Sequence, residues 1–518
     1  MQKSGGSKRI MRALGVGILS CCVIVSLGTL ASTSSADEAT PTTSAADDGS
    51  TIASTTPPPI VAQNQPLGTT PPYGSSYPVT LETDFSRPLK AISSQANSDF
   101  SLLDDLERLI RGSYIDPRTG GLRPVAERTA NRVDLSISRM ENSHRVGREL
   151  IAAAKHGVSV YVIHGKASQS SESRALARSL AAATYNGRHY GHFHICAKGK
   201  SLACLSSINS AIMHSKILYV RTTFTRNNDP AKSAIWSGSA NLGGPSGERT
   251  WNNGLTIYND KKLSYQITKF WDDMWSERNV NNDYLAYVKA HSGSYGYNSP
   301  AGDGYTDDHA TYGMFYSNLA NVTIYPTPIY ATPTNGKDPV LSALSRVIPD
   351  DTCRIRVQHN RFKYRRLAVA QKLVDLANKG CKVSAIAFED DLKVNRAAHC
   401  QLYIRICQPI LDVLRTANVR IEAAWAKPHD KTMLIDANMG PNPLNPQERQ
   451  WNGAVFPSRA AGGARVRMVQ AGSAALTGSN LVVSDEVTTE TTDPEVFEDY
   501  LEHWKAIWKS REHHDYLY

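Results

Sequence analysis

"RVDLSISRMENSHRVGRELIAAAKHGVSVYVI", residues 132–163, decides the fold. Its two ends alternate apolar and polar residues as strands do, and its middle carries apolar residues at helical spacing over three to four turns. Gly157 stands where such a helix should end. "RIRVQHNRFKYRRLAVAQKLVDLANKGCKVSAI", residues 354–386, reads the same way 222 residues later, with Gly380 at the helix stop. Strand, helix, strand implies a right-handed crossover and parallel neighbours. Two copies predict an α/β chain of two pseudo-symmetric α-β-α lobes, with mixed, mostly parallel sheets packed face to face.

Downstream of each unit comes a histidine and a lysine two positions apart in an apolar run. The first is "AIMHSKILYV" (211–220), with His214 and Lys216; the second is "AKPHDKTMLIDA" (426–437), with His429 and Lys431. Strand geometry turns residues i and i+2 to one face, so each pair looks into one space. Each is followed by a short strand ending in Gly-Ser: "SAIWSGSANL" (233–242) and "RMVQAGSAAL" (467–476). His-x-Lys also occurs at His164/Lys166 and His503/Lys505. The latter lies in a helical pattern, where i and i+2 do not share a face, and the former has no counterpart in the second half. Only His214 and His429 recur at the repeat spacing ahead of a Gly-Ser strand.

The 518 residues are 41% apolar and 20% charged, which suits a globular chain of two or more domains. Residues 1–36 read as a signal peptide: Lys3, Lys8, Arg9 and Arg12 precede an apolar core, and "SSA" ends at Ala36. This implies a secreted protein. Removing those four basic residues from 57 leaves 53 against 48 acidic ones, a net of +5. Such a mild excess permits an anionic substrate without announcing a nucleic-acid binder. Residues 37–80, rich in Ser, Thr, Pro and Ala, read as a disordered tether. Residues 81–290 form the first lobe, 291–330, rich in Gly, Ser, Tyr and Asp, a connector, and 331–518 the second lobe. Past the leader six cysteines remain, an even number that suits disulfides in an exported chain. Cys196 with Cys204 and Cys400 with Cys407 read as local loop staples, which leaves Cys353 with Cys381. None of these spacings is the short C-x2-C kind that zinc favours, and no metal is expected. "HYGHFHICA" (189–197) reads as rim histidines beside a disulfide, and the basic "HNRFKYRRLA" (359–368) as a solvated helix start.

The two motif sets, "HSK…GSAN" and "HDKTMLID…GSA", resemble the phospholipase D superfamily, whose signature is His-x-Lys, four residues, Asp, then Gly-Ser-x-Asn. The resemblance covers nearly all of the chain past the tether and is greatest to secreted actinobacterial members. Two positions depart from it: Arg221 stands where the first motif has Asp, while Asp436 is kept in the second, and Ala475 stands where the second has Asn, while Asn241 is kept in the first. "TGSN" (477–480) is out of register with Gly472-Ser473. The resemblance implies His214 as nucleophile, forming a phosphohistidine, and His429 as general acid; symmetry leaves the exchanged roles open. An acidic residue about eleven positions past the Asn orients each histidine in the family. Counting gives Glu486 in the second half and Asn252 in the first.

The chemistry of these residue types agrees. Lys216 and Lys431 can hold the non-bridging oxygens of a phosphodiester and stabilise transition-state charge, with Ser239, Ser473 and Asn241 as further donors. An imidazole titrates near neutrality and can serve as nucleophile or acid. No cofactor is needed, because the cations are part of the chain. The expected activity is that of a secreted, metal-independent phosphodiesterase, a monomer acting on phospholipid head groups by hydrolysis or transfer, with transient membrane-surface contact. A nuclease cleaving nucleic-acid phosphodiesters and a non-catalytic protein binding anionic surfaces are the alternatives.

Overall fold

The computed structural model describes residues 77–88, 98–141, 144–196, 201–206, 211–277, 315–317, 321–329, 338–388, 406, 408–419, 421–426, 428–440, 464–510 and 513–517. The leader, the tether up to residue 76, most of the connector, and the Cys400–Cys407 pairing lie outside these residues.

Seven strands build the first sheet: β1 (Thr80–Ser86), β2 (Arg132–Ile137), β3 (Ser159–His164), β4 (Gly191–Ile195), β5 (Ile217–Val220), β6 (Ala234–Gly238) and β7 (Asn252–Tyr258). Their order is β1-β7-β6-β5-β2-β3-β4. Strand alternation feeds two cores. Leu218 and Val220 of β5 join Val133, Leu135 and Ile137 under helices α1 (Ser101–Arg111) and α2 (His144–Lys155). Ile217 and Tyr219 join the opposite core with Leu263, Ile267, Phe270 and Trp271 of α3 (Lys261–Trp275).

The second sheet has ten strands. Nine form a path from β8 (Phe315–Tyr316), β9 (Val322–Thr327), β10 (Arg354–His359), β11 (Lys382–Phe388), β12 (Ile421–Ala426), β13 (Lys431–Met439), β14 (Ala464–Gly472), β15 (Glu486–Thr491) and β16 (His513–Leu517). Their order is β8-β9-β15-β14-β13-β10-β11-β12-β16, and Val347–Ile348 pairs with the end of β13. The stretch β15-β14-β13-β10-β11-β12 repeats β7-β6-β5-β2-β3-β4 position for position, which bears out the duplicated α/β unit. Helix α4 (Leu367–Asn378) is the second crossover, and α5 (Pro494–Ser510) follows β15. Gly157 and Gly380 take up the chain after the crossover helices with φ of +88° and +112°.

Strand polarity departs from expectation. Only the pairs β2/β3, β3/β4, β10/β11 and β11/β12 are parallel; the other pairings within the two sheets are antiparallel. The crossovers set only their own neighbours; the strands that follow, β5 to β7 and β13 to β15, each run antiparallel to the one before and need no crossover helix. The connector also ends earlier than its composition suggests. Residues 322–327 pair with β15 along their full length, placing them in the second sheet.

The sheets meet face to face. Trp251 and Leu255 of the first lobe share a core with Leu434, Val469 and Ala471 of the second and with Phe497, Tyr500 and Trp504 of α5. Each such aliphatic side chain, fully buried, contributes roughly 1.5–3 kcal/mol. Ser237 Oγ and Thr489 Oγ1, 2.8 Å apart, bridge the same seam. The pairs Cys196–Cys204 and Cys353–Cys381 are disulfides. Among the described residues no helix is long and apolar enough to cross a membrane.

Candidate active site

Both His-x-Lys pairs sit at the mouth of a central strand rather than within it. The regular strands begin at Ile217 and Lys431, and each histidine pairs its backbone with the opposite lobe instead. His214 N–H donates to the Asp485 carbonyl (3.0 Å), and His429 N–H to the Trp251 carbonyl (2.8 Å). The residue after each acceptor then supplies the ring partner. His214 Nδ1 is 2.8 Å from Glu486 Oε1, and His429 Nδ1 is 3.1 Å from Asn252 Oδ1. The Asn252 amide cannot be turned round, because its Nδ2 already donates to the carbonyls of Ser246 and Thr250. Its oxygen therefore accepts a proton held on His429 Nδ1.

The Gly-Ser strands fix those partners. Ser239 N donates to the Asn253 carbonyl and Ser473 N to the Val487 carbonyl, both at 2.9 Å. Asn253 N and Val487 N return the bond to the two Ser Oγ atoms, both at 3.0 Å. This equivalence places Gly472-Ser473, not "TGSN", in register. Each glycine is dictated by close approach: a Cβ at Gly238 would lie 2.5 Å from the Asn253 carbonyl, and one at Gly472 2.3 Å from that of Val487. Both serines are fully buried, and Ser239 Oγ also donates to Asn252 Oδ1 (3.2 Å). Both serines thus hold the strand that carries each ring partner.

Both lysines are buried against their own histidines. Lys216 Nζ donates to the His214 carbonyl (2.7 Å) and lies 3.3 Å from Nε2; Lys431 Nζ donates to the His429 carbonyl (2.6 Å). Burial lowers Lys216 to about 8 and, with the charge of Lys216 added, holds Lys431 well below its ordinary value. Burial and then the two lysines press both imidazoles well below theirs, toward the neutral form. Burial also raises Glu486 to about 7. Each lobe's charges thus act on the other's histidine. The side chain of His214 still keeps 21% of its surface open, enough for an incoming ligand to reach it.

Other expected residues fall elsewhere. Asp436 is five positions past Lys431, roughly 16 Å along the strand, and pairs with Arg465 (2.7 Å). It does not support the site. Arg221, its counterpart, lies at the same remove and donates to the Ala130 carbonyl. Asn241 has a buried side-chain oxygen without a partner among the described residues. His194 meets Glu277 at 2.9 Å, beside a Cys196 sulfur already committed to a disulfide.

Three residues enter that the motif spacing missed. Asn480, the last residue of "TGSN", donates to Glu486 and so comes to the site seven positions after Ser473. Arg361, read as part of a solvated basic run, bears electrostatically on His214, Lys431 and Glu486. Asp430, between His429 and Lys431, gathers Asn253, Gln358 and His503 (2.5, 2.7 and 3.2 Å). Only its placement inside His-x-Lys could have signalled it.

Residues 125–275 match the family model described as cardiolipin synthase, PLD-like domain. That span holds the whole first motif, His214, Lys216, Ser239 and Asn241, and the second motif repeats its geometry.

Residues 125–275 form a PLD-like domain of the phospholipase D superfamily.

No curated protein matches it by sequence. Among solved structures, the chain is similar to the phosphatidylserine synthase of Haemophilus influenzae: 9% identity, 85% of this chain and 89% of that one, TM-score 0.48. It is also similar to the polyphosphate kinase of Porphyromonas gingivalis: 11% identity, 82% of this chain, TM-score 0.42; it spans 49% of that chain's length. Nuc of Salmonella typhimurium, a phospholipase D family member, aligns at 17% identity over 37% of this chain and 95% of its own, TM-score 0.24.

Proposed function

We propose that this chain is an exported, metal-independent phosphodiesterase that releases phospholipid head groups through a phosphohistidine. The observation that carries this reading is the crossed pairing of the histidines, His214 with Glu486 and His429 with Asn252, around two buried lysines.

The anion binds between Lys216 and Lys431, whose charge is offset by Glu486 and, at Lys431, by Asp430. His214, kept neutral by burial and by the lysines, attacks phosphorus through Nε2, since Nδ1 faces Glu486. The N–P bond forms as the P–O bond to the alcohol breaks, and His429 gives its proton to the departing oxygen. Arrival of the anion offsets the lysine charges and lets His429 carry that proton. The ring of His214 becomes cationic when phosphorylated, and the Glu486 carboxylate stabilises it. His429 backed by a neutral amide holds its proton more loosely, which suits an acid. Water then yields a proton to His429 and attacks phosphorus, and the N–P bond breaks. The leader-like residues 1–36 and the Ser/Thr/Pro/Ala-rich residues 37–80 support export.

The test incubates the purified chain, with EDTA throughout, with phosphatidylcholine vesicles and with DNA in parallel, beside His214→Ala. Choline release abolished by the substitution is the expected result. DNA cleavage alone would assign the chain to the nucleases, and loss of all activity with EDTA would remove the metal-free mechanism.

A further inference from the structure

The two lobes differ most at the far ends of their central strands. In the second lobe Asp436 closes that end by pairing with Arg465. In the first lobe the same position is Arg221, and a cleft of about 1030 Å³ opens beside it. Tyr77, Phe224 and Tyr265 line it together with Arg123, Arg221 and Lys232. The volume lies at the upper end of what small-molecule sites use.

Its charges are unevenly matched. Arg118 is paired with Asp116 (2.6 Å), Arg123 with Glu127 (2.9 Å), and Arg132 with Asp134 and Asp272 (2.7 and 2.9 Å). Among the described residues no carboxylate meets Arg221 or Lys232. Arg221 rests on the Ala130 carbonyl, and the Lys232 ammonium sits 5.0 Å over the Tyr77 ring. A half-buried guanidinium without a carboxylate is fitted to a planar or tetrahedral anion. Half-buried Tyr77 and Tyr265 offer faces for a ring, while Phe224 is buried with Arg118 and Arg123 over it and forms the floor. Strand length puts Arg221 roughly 23 Å from His214, seven residues away along an extended chain, beyond the reach of one small ligand.

We propose that this cleft is a second binding site, separate from the histidine pair, for a ring-bearing phosphate ester of nucleotide size. Arg221 and Lys232 hold the phosphate and the aromatic walls hold the ring. Isothermal titration of the full chain with adenosine monophosphate at low salt tests it, with inorganic phosphate as the ring-free probe. The unaltered chain and His214→Ala should bind one equivalent alike, and inorganic phosphate should bind more weakly. Arg221→Glu and Lys232→Glu, both at solvent-accessible positions, should each weaken binding about tenfold or more. The proposal fails if adenosine monophosphate does not bind, if both reversals leave its affinity unchanged, or if inorganic phosphate binds equally well. Binding lost in His214→Ala would move the ligand to the histidines and also overturn it.

Discussion

His214 and His429 occupy equivalent places in two equivalent lobes, yet one leans on a carboxylate and the other on an amide. Glu486 and Asn252 each stand thirteen residues past the Ser of their Gly-Ser strand, and both are delivered across the seam by the same backbone bridge. The scaffold is therefore symmetric and the electrostatics are not. Duplication preserved the means of holding a ring, while the choice of partner separated what the two rings do. A similar divergence appears opposite the second-lobe lysine on the neighbouring strand: β10 ends in buried His359, paired with Lys431, where β2 ends in Ile137.

The comparison can be broken most directly at the rings. His214→Ala and His429→Ala should each lower phosphodiester turnover by about 10³-fold or more, measured as initial rates. Only His429→Ala should still accumulate a labelled phosphohistidine from a substrate with a good leaving group, which needs no acid. Equal labelling of both variants would dissolve the division of roles.

The disulfides offer a second contrast. Cys353–Cys381 closes 28 residues and Cys196–Cys204 closes 8. Loop-closure entropy gives about 3.6 and about 2.5 kcal/mol, so Cys353→Ser should lose more stability in chemical denaturation. Cys196→Ser should lose more activity, because the backbone N–H groups of Cys204 and Leu205 grip the Asp485 carboxylate beside Glu486.

The ring partners sharpen the comparison further. Glu486→Gln should cost about 10²-fold in rate by removing the charge behind the phosphorylated ring. Asn252→Asp should move the basic limb of the pH–rate profile upward, since a new carboxylate favours protonated His429. An unmoved limb would show that the amide is incidental.

The smallest expected effect is at His359. Burial lowers it to about 3, so it stays neutral in the folded chain while the unfolded chain takes up a proton near pH 6.5. Between those values the unfolded state binds more protons, and stability falls as pH falls. His359→Leu should relieve up to about 2 kcal/mol of that loss at pH 5, read from urea midpoints at pH 7 and 5.

Much of this was open to reading from residue order. Apolar periodicity is local, so both crossovers and their glycine stops were legible, and counting from the motifs reached Glu486 and Asn252. Pairing of distant strands is not local, and the return strands β13 to β15 gave no sign of their polarity. Asn480, on the short helix Gly478–Val482, and Arg361, on a loop, reach the site by a chain course that no period encodes. Asp436 misled because a motif position says nothing of which end of its strand faces the chemistry.

The bridges from His214 to Asp485 and from His429 to Trp251 have one more consequence. A clamshell opening of the halves would sever both at once and take each ring from its orienting group. Turnover must then run with stationary walls, substrate and product exchanging over the rim, so that the molecule works as a fixed vice and not as a jaw.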